Sequence, residues 1–317
     1  MAGHRITASD SCWLFIAASQ EPRHLSDIVF GASVLRARGV PMDRILVFTD
    51  HPAPGTILSG FGLANVHPLA DLVTVAPTLE SCTACVTVVT GHGVHDGIGQ
   101  QAPALAPCDV LAATRGVPGV TCGVVVVGQC FAGVFNYLDA VSDCPVALLG
   151  ATNLNTSLSV PVKLSTRVQG DDGSSTLETW SANLFLYHFF LWLQAPVDVD
   201  GDGLVTLIDA YKYAGTRSSS ATTSVKSQTF VEATLLAAEL PALRDQFQDV
   251  ALRLQQGVSA ATTPAELLKM QVELQQAKLA FESRVTRLDE RLQVLHSHQD
   301  AWVLHANFAR TVSFWES

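Results

Sequence analysis

The sequence predicts an α/β protein with a mostly parallel sheet flanked by helices, followed by an all-helical C-terminal extension. Two observations carry this prediction. Between residues 12 and 151, short β-branched runs alternate with helical stretches, which is the pattern of a parallel sheet covered on both faces. From about Phe230 to Phe314 the apolar residues recur at helical spacing instead. A chain of 317 residues is long enough for one large domain or two ordinary ones.

Five strands are predicted in the first region, and each is nearly continuous in apolar residues because both faces of the sheet would be buried. They are Cys12 to Ala18, Arg44 to Thr49, Cys85 to Thr90, Gly123 to Val127 and Pro145 to Leu149. A helix from Leu25 to Ala37 follows the first strand, and Gly39 with Pro41 ends it. A buried, aromatic-rich helix is predicted from Trp180 to Leu193.

Composition divides the chain into three parts. Residues 1–214 form the main domain, including a loop of calcium-binding type at 198–209. Residues 215–229 are dense in Ser and Thr without apolar periodicity, which predicts a flexible, exposed linker. Residues 230–317 form the helical C-terminal region, where Thr263, Pro264 and Glu266 supply an N-cap, a first-turn proline and a capping-box glutamate. The narrow apolar stripe from Leu267 to Leu295 predicts packing on a partner helix, most simply as a hairpin with Phe230 to Gln256.

Charge and hydropathy exclude several classes of protein. With 48% hydrophobic and 15% charged residues, the chain is not disordered. Its net charge of −10 repels phosphate backbones and anionic lipids, so we expect neither a nucleic-acid nor a membrane partner. The longest apolar stretch, Leu184 to Leu193, is far shorter than the about 20 residues of a membrane span. A cytoplasmic location is expected, and the seven cysteines, mostly inside apolar runs, are expected to be reduced thiols.

Two of the predicted strands end in a residue that can do chemistry. The strand Cys85 to Thr90 is followed by His92 and Gly93, and the strand ending at Val127 is followed by Cys130. Because ligands bind at the carboxyl ends of parallel strands, the two side chains can meet there across a substrate. An imidazole beside a thiol raises the thiolate fraction and later protonates the leaving amine. Neighbouring glycines leave room for a substrate backbone and for main-chain oxyanion donors.

These residues resemble the caspase and legumain superfamily of cysteine proteases, including its bacterial caspase-like and metacaspase-like members. In that superfamily a hydrophobic strand ends in His-Gly, and the next ends in a short polar link to Cys with a Gly three residues on, as in Cys130 to Gly133. The resemblance covers roughly residues 12 to 193 and implies a caspase–hemoglobinase fold. It implies His92 as the catalytic histidine, Cys130 as the nucleophile, and the amides of Gly93 and Cys130 as the oxyanion hole. His95 is an alternative base, although it follows the glycine rather than the strand.

The same resemblance implies candidates for the pocket that receives the residue before the scissile bond. The segment Arg23 to Asp27 resembles the legumain segment whose arginine helps to line that pocket. Glu178 stands where legumain-like enzymes carry an acidic pocket residue, and Thr156 stands where they carry a further glutamate. If Asp27 neutralises Arg23, Glu178 would select Arg or Lys, which is the preference we expect. Selection of Asn or Asp by Arg23 is the alternative, and either residue could instead form an ordinary surface ion pair.

A second motif has the spacing of a calcium loop. Oxygen ligands occupy loop positions 1, 3, 5, 9 and 12, glycine occupies position 6, and Leu204 offers its carbonyl at position 7. The expected ligands are Asp198, Asp200, Asp202, Leu204, Thr206 and Asp209. A bidentate Glu is usual at position 12, where this sequence has Asp209. Dockerin-like loops also have Asp at this position. The alternative is an Asp-Gly turn that caps the following helix, and in either case the role would be structural.

The function that the resemblance to the caspase and legumain superfamily implies is that of a latent cysteine endopeptidase acting on protein substrates. Catalysis would need no cofactor, and calcium would be structural. Activation would follow cleavage after Arg167 or Arg217, by an activating protease or by the enzyme itself, or binding of a regulatory protein. Such latency would suit a bacterial defence or cell-death pathway. The alternative is a catalytically silent caspase-like adaptor that assembles a complex through its helical tail.

Overall fold

The structure is a computed structural model that describes residues 3–100, 104–259 and 263–315. Its centre is a seven-stranded sheet with the strand order β12-β9-β8-β5-β2-β3-β4. The strands are β1 (His4–Ile6), β2 (Ser11–Ala18), β3 (Ile45–Thr49), β4 (Val66–Pro68), β5 (Ala84–Gly91), β6 (Gly93–Val94), β7 (Gly97–Ile98), β8 (Cys122–Val127), β9 (Val146–Gly150), β10 (Ser159–Gln169), β11 (Thr176–Asn183), β12 (Trp302–Leu304) and β13 (Val312–Phe314). Only β12 runs antiparallel to its neighbour in the central sheet. The predicted mostly parallel sheet is confirmed, and each of its five predicted strands lies within one residue of its predicted bounds.

Helices cover both faces of this sheet. The α-helices are α1 (Pro22–Ala37), α2 (Gly55–Leu58), α3 (Leu72–Val75), α4 (Pro107–Gly116), α5 (Leu184–Gln194), α6 (Leu207–Ser259), α7 (Pro264–His296) and α8 (Ala306–Ala309). Short 3-10 turns lie at Met42–Arg44, Ser59–Phe61, Leu69–Asp71, Ala76–Thr78 and Ala132–Tyr137. The strand β2 shows why both faces need cover, since Trp13 and Phe15 pack into one core with α1 and α5. Leu14 and Ile16 point the other way, into a core with α3 and α4.

The predicted linker at 215–229 is wrong, because these residues lie within the continuous helix α6. Glycine and proline are absent between residues 216 and 240, so nothing breaks the helix there. Hydroxyl groups bond back to helix carbonyls, as Ser218 does to Gly215 and Ser227 to Thr223. Ala214, Ser218 and Thr222 form a buried stripe at a spacing of four, which hydropathy alone does not reveal.

The chain divides into two compact units. The boundaries of these units differ from the predicted boundary near residue 230. One unit comprises the residues through Thr222 together with those from His298, and the other comprises Thr223–Ser297. The C-terminal region is therefore not helical to its end: β12 adds to the edge of the central sheet beside β9, and β13 pairs with β1. Aromatic side chains there, such as Phe314 beside Trp13, join the main core.

The second unit is the predicted helical hairpin. Thr263 and Glu266 form the capping box that begins α7. Phe281 of α7 stacks on Phe247 of α6 with ring centroids 6.4 Å apart. Farther along, Arg284 pairs with Glu239 and Arg291 with Glu232, each at 2.8 Å. These pairings run in opposite directions along the chain, so the two helices are antiparallel. No helix among the residues described here is both long and apolar enough to span a bilayer.

Candidate active site

The two predicted catalytic residues follow neighbouring strand ends. β5 and β8 are parallel and paired, with Val89 opposite Val127, so the loops after them leave the sheet side by side. The loops also touch, because a side chain built on Gly93 would collide with the carbonyl oxygen of Cys130 and with the side chain of Gln129. Only glycine permits this approach. The fold therefore brings the His92–Gly93 and Gln129–Cys130 segments into contact, as the spacing predicts.

His92 is held by a carboxylate that the sequence analysis did not identify. Its amide donates to the carbonyl of Ala18 at the end of β2, at 3.1 Å. Its ring Nε2 lies 2.6 Å from Oε1 of Glu21, the residue that precedes α1. Because a carboxylate can only accept, Nε2 carries the hydrogen in this contact. A neutral ring then keeps its free lone pair on Nδ1, which is the nitrogen available to accept a proton from a thiol.

Glu21 also binds Arg23, with Oε2 of the carboxylate 2.6 Å from Nε of the guanidinium. Hydrogen bonding to Arg23 and, to a lesser extent, to His92 lowers the pKa of Glu21 to about 2. Arg23 donates in turn to the hydroxyl of Ser159, at 2.9 Å. The expectation that Asp27 would neutralise Arg23 does not match this arrangement, because the ion-pair partner in the structure is Glu21.

Cys130 lies in the loop after β8, half-buried, beside Ser157. Its Sγ is 3.8 Å from the hydroxyl oxygen of Ser157, and that hydroxyl donates to the carbonyl of Gly128 at 3.0 Å. Within the described part of the chain, the amide of Cys130 has no hydrogen-bond partner, so it can donate to a substrate oxygen. The next residue, Phe131, is held in the left-handed region at φ 54°, and its amide donates to Asn155. No hydrogen bond between the His92 ring and Cys130 occurs among these residues.

A second histidine packs against the first. His24, in the first turn of α1, is 2% exposed, and its ring meets that of His92 edge to face with centroids 5.3 Å apart. Burial, reinforced by the charges of Arg23 and His92, lowers the pKa of His24 to about 3. The Nδ1 atom of His24 is buried without a hydrogen-bond partner within the described chain. His95, the alternative base, instead packs on the ring of Phe131.

Asp27 is buried behind the strand that leads to His92. Its carboxylate accepts hydrogen bonds from the Trp180 indole at 2.8 Å, the Thr90 hydroxyl at 2.9 Å and the Asn183 amide at 3.2 Å. Burial raises the pKa of Asp27 to about 6 despite these donors. These hydrogen bonds connect Asp27 of α1 to β5 and β11. Asp27, which the sequence predicts in the substrate pocket, therefore also holds three elements of the fold together.

The other pocket candidates lie on different segments. Glu178, on β11, pairs with Arg167 at 2.8 Å and Lys163 at 3.5 Å, both on the neighbouring strand β10. Thr156 is exposed, and its carbonyl accepts from the amide of His298. The structure brings Arg23 and Cys130 to one short segment, residues 157–159, through Ser159 and Ser157. Glu178 has no such link among the hydrogen bonds of the described residues.

Both predicted cleavage residues lie in regular secondary structure. Arg167 is within β10, where its side chain pairs with Glu178. Arg217 is within α6 and lies over the ring of Tyr213, with its guanidinium carbon 5.5 Å from the ring centroid. A protease binds an extended, unpaired segment, so cleavage requires the helix to unwind at Arg217 and β10 to separate from β11 at Arg167.

The calcium-type loop folds around its own carboxylates. Asp198 accepts from the amides of Gly201 and Gly203, at 2.7 and 2.9 Å. The carboxylates of Asp198, Asp200 and Asp202 converge, with one oxygen of each within 4.8 Å of the others. Both oxygens of the buried Asp209 accept hydrogen bonds from loop amides, including those of residues 199 and 206. Lys212 contacts Asp200 at 3.0 Å. Three of the expected ligands therefore converge, whereas Asp209 closes the loop.

All seven cysteines are free, and Cys130 differs from the buried ones in its surroundings. Burial raises the pKa of Cys122 to about 12 and also raises the pKa of Cys85. These thiols are unreactive packing groups. Sequence reasoning missed Glu21 and Ser157, which contact the two predicted catalytic residues. The only local signal was an acidic residue just before the helix that follows β2; its partner is 71 residues away.

Comparisons with known proteins leave the chain without an assigned family. No protein-family model and no curated protein matches it. Among solved structures, the crystal structure of drICE aligns with a TM-score of 0.36 and 10% sequence identity, over 66% of this chain and 82% of drICE. A likeness this weak assigns no activity, so the function is inferred from the residues at the ends of β5 and β8.

Proposed function

We propose that the protein is a cysteine endopeptidase in which Cys130 is the nucleophile and His92 the general base. The observation that supports this most directly is the contact between the His92–Gly93 and Gln129–Cys130 segments at the ends of two paired parallel strands. A thiol that only packs in a core would need neither a half-buried position, nor an amide without a partner among the described residues, nor a contacting segment whose histidine is oriented by a carboxylate. The proposal includes a caspase-like fold for the first unit.

The residues have separate roles in the proposed reaction. The thiol of Cys130 gives its proton to Nδ1 of His92, and the thiolate attacks the substrate carbonyl carbon. The amides of Cys130 and Gly93 donate to the oxyanion. His92 then passes the proton to the leaving amine, which departs as the thioester forms. A water attacks the thioester, gives one proton to His92, and restores the thiol when the acid is released. Glu21 is a positioning residue that holds the ring and its tautomer.

The contacts of Arg23 bear on substrate preference. Both candidates are ion-paired, Glu178 with two cations of β10 and Arg23 with Glu21, so the choice between them rests on their positions. Arg23 reaches the 157–159 segment that contacts the thiol. We therefore include in the proposal that the residue before the scissile bond is Asn or Asp, recognised by Arg23, with the basic preference as the competing outcome.

Fluorogenic peptides ending in Arg, Lys, Asn or Asp test the activity and the preference together. Turnover of the Asn or Asp peptides that is lost in Cys130→Ala and weakened in Arg23→Ala, with little change in Glu178→Gln, is the expected result. Turnover of Arg and Lys peptides that depends on Glu178 would establish the protease and reverse the preference. Absence of turnover, together with no labelling of Cys130 by a thiol-directed peptide probe, would contradict the endopeptidase and favour the adaptor.

Calcium binding by the 198–209 loop is a separate part of the proposal, supported by the three converging carboxylates. Binding to the folded state alone raises the unfolding midpoint. We expect 1 mM calcium to raise that midpoint by a few degrees in the wild type but not in Asp198→Asn, since a ligand at tenfold above its dissociation constant adds about 1.4 kcal/mol. Asp172→Asn, which alters an exposed carboxylate outside the loop, is the control. Equal shifts in all three proteins would exclude the site.

A further inference from the structure

Glu21 and His24 form a cluster with His92 of the proposed dyad, and the proposed reaction does not fully use this cluster. One donor atom from each side chain lies within 4.8 Å of the others. Two adjacent strands, β2 and β5, place them, because Glu21 and His24 follow β2 and His92 follows β5. We propose that these residues form a zinc site, and that zinc bound there holds the enzyme inactive by occupying Nε2 of His92.

The donor set fits zinc in type and number. Two imidazoles and one carboxylate, with a fourth position left to water, are an ordinary set of ligands for Zn²⁺. The donors are also ready to bind. The Glu21 carboxylate already contacts the His92 ring, and Nδ1 of His24 is buried without a hydrogen-bond partner within the described chain. On folding, such a buried ring nitrogen loses its hydrogen bond to water and gains no hydrogen bond within the protein. A bound metal ion would supply the missing partner.

The present contact leaves space for the ion after a small movement. Nε2 of His92 and Oε1 of Glu21 are 2.6 Å apart, with a hydrogen between them. Zinc bonds of about 2.0–2.1 Å in a tetrahedral site place neighbouring ligand atoms roughly 3.3 Å apart. The two groups must therefore separate by less than one ångström. Glu21 is at the surface and can yield, since its side chain is 44% exposed.

Zinc at this position changes the tautomer of His92. With Nε2 bound to the metal, the ring proton moves to Nδ1, and that atom can no longer take the proton of Cys130. Arg23, bound to the other oxygen of Glu21, opposes the added positive charge. The site is therefore expected to be weaker than a structural zinc site, as reversible control requires. The inhibitory consequence rests on the proposed protease function, whereas binding itself does not.

Zinc binding is measured directly by competition with a chromogenic chelator, using Cys130→Ala as the parent protein so that the nucleophile cannot contribute. Saturating calcium keeps the 198–209 loop from competing. We expect one equivalent of zinc, with an affinity at least tenfold weaker when Glu21→Gln or His24→Gln is added. His188→Gln is the matched control, because Nδ1 of His188 is also buried and unpartnered among the described residues but belongs to no ligand cluster. It should leave the affinity unchanged.

Cobalt gives a second readout that identifies the ligands. Co²⁺ in a nitrogen and oxygen site shows visible bands without the intense near-ultraviolet absorption of a thiolate bound to metal. Unchanged zinc affinity in both Glu21→Gln and His24→Gln, or a thiolate band with cobalt, would overturn the site. Glu21→Gln alters a partly exposed side chain, so this variant is expected to fold. If the buried substitution His24→Gln prevents folding, Glu21→Gln alone still decides the test.

The two proposals fail separately. Zinc bound in the Cys130→Ala background while the wild type cleaves no peptide would retain the site and remove the protease. Peptide cleavage that zinc does not inhibit, by a protein that does bind zinc through Glu21 and His24, would overturn the inhibitory role alone. Inhibition at the zinc concentration that fills the site is the expected result.

Discussion

The two sides of the candidate active site are held in place by different forces. On the β5 side, charge and hydrogen bonding fix His92, because Glu21 binds its ring and Arg23 binds Glu21. On the β8 side, the backbone fixes Cys130, with Phe131 in the left-handed region and its amide bound to Asn155. Among the hydrogen bonds of the described residues, those of the thiol itself are long contacts with Ser157.

The difference suits the roles proposed for the two residues. A base must keep one tautomer and one orientation, and a carboxylate supplies both. A nucleophile must stay free to form a bond, so a rigid backbone is a better support than strong contacts to the sulfur. The comparison predicts that substitutions on the β8 side act by removing chemistry or space, whereas those on the β5 side act by loosening the base.

The largest effect is expected from Cys130→Ala. Removing the nucleophile should lower kcat by at least about 10³-fold, because no other group on the β8 side can form the thioester. The unfolding midpoint should change little, since the thiol is only half-buried. Peptide turnover and labelling by a thiol-directed probe measure the effect. Cys108→Ala, which removes an exposed thiol on α4, is the control, and equal turnover by both variants would contradict the assignment.

Gly93→Ala should have the next largest effect. A Cβ at this position would collide with the Cys130 carbonyl and the Gln129 side chain, so the two loops must separate. A displacement of roughly 1 Å at the reacting groups costs about 100-fold in rate, and kcat/KM with the preferred peptide is the measurement. Gly55→Ala is the matched control, because a Cβ there meets nothing within 4 Å. A Gly93→Ala variant as active as Gly55→Ala would show that the loops need not touch.

The sequence allowed the central sheet and the positions of His92 and Cys130 after neighbouring strands to be predicted, because both depend on local signals. Continuous apolar runs mark buried parallel strands, and a reactive residue directly after such a run lies at the strand's carboxyl end. The capping box of α7 is equally local, since Thr263 and Glu266 are three residues apart. These predictions needed no knowledge of which segments contact each other.

The rest depended on contacts that spacing does not encode. The helical path of residues 215–229 was missed because a buried stripe of Ala214, Ser218 and Thr222 looks polar in a hydropathy pattern. The return of β12 to the sheet pairs Trp302 with Gly150, across 152 residues. Arg23 had two nearby acids, and only the fold shows that it binds Glu21 while Asp27 lies buried.

Glu21→Gln tests the β5 side more finely. The variant keeps the size of the side chain but loses the charge that orients His92, and kcat/KM should fall roughly 10-fold to 100-fold. The loss should appear mainly in kcat because Glu21 orients His92, with a smaller change in KM because Glu21 also binds Arg23, the proposed recognition residue. Glu178→Gln removes a carboxylate from an ion pair on β11 and is the comparison variant. A rise in KM alone would show that Glu21 belongs to the pocket.

The smallest effect on rate, and a clear effect on stability, is expected from Asp27→Asn. The carboxyl has a pKa of 3.8 when unfolded and about 6 when folded, because burial opposes its ionisation. The folded state therefore binds the proton more tightly, and the stability that this group contributes is complete below pH 3.8 and is lost as the pH rises through 6. The loss amounts to about 3 kcal/mol at 1.4 kcal/mol per pKa unit.

Denaturant unfolding at several pH values between 4 and 7 measures this loss. The amide introduced by Asp27→Asn cannot titrate, so the difference in unfolding free energy between wild type and variant should move in favour of the variant as the pH rises. Asp43→Asn, at an exposed carboxylate, should show no such trend. Parallel pH profiles for the wild type and Asp27→Asn would mean that Asp27 is ionised in the folded protein at pH 4. Asp27 would then stay charged across this pH range, as Glu21 does, and the contrast between a carboxylate that stays charged and a buried carboxyl that takes up a proton below pH 6 would disappear.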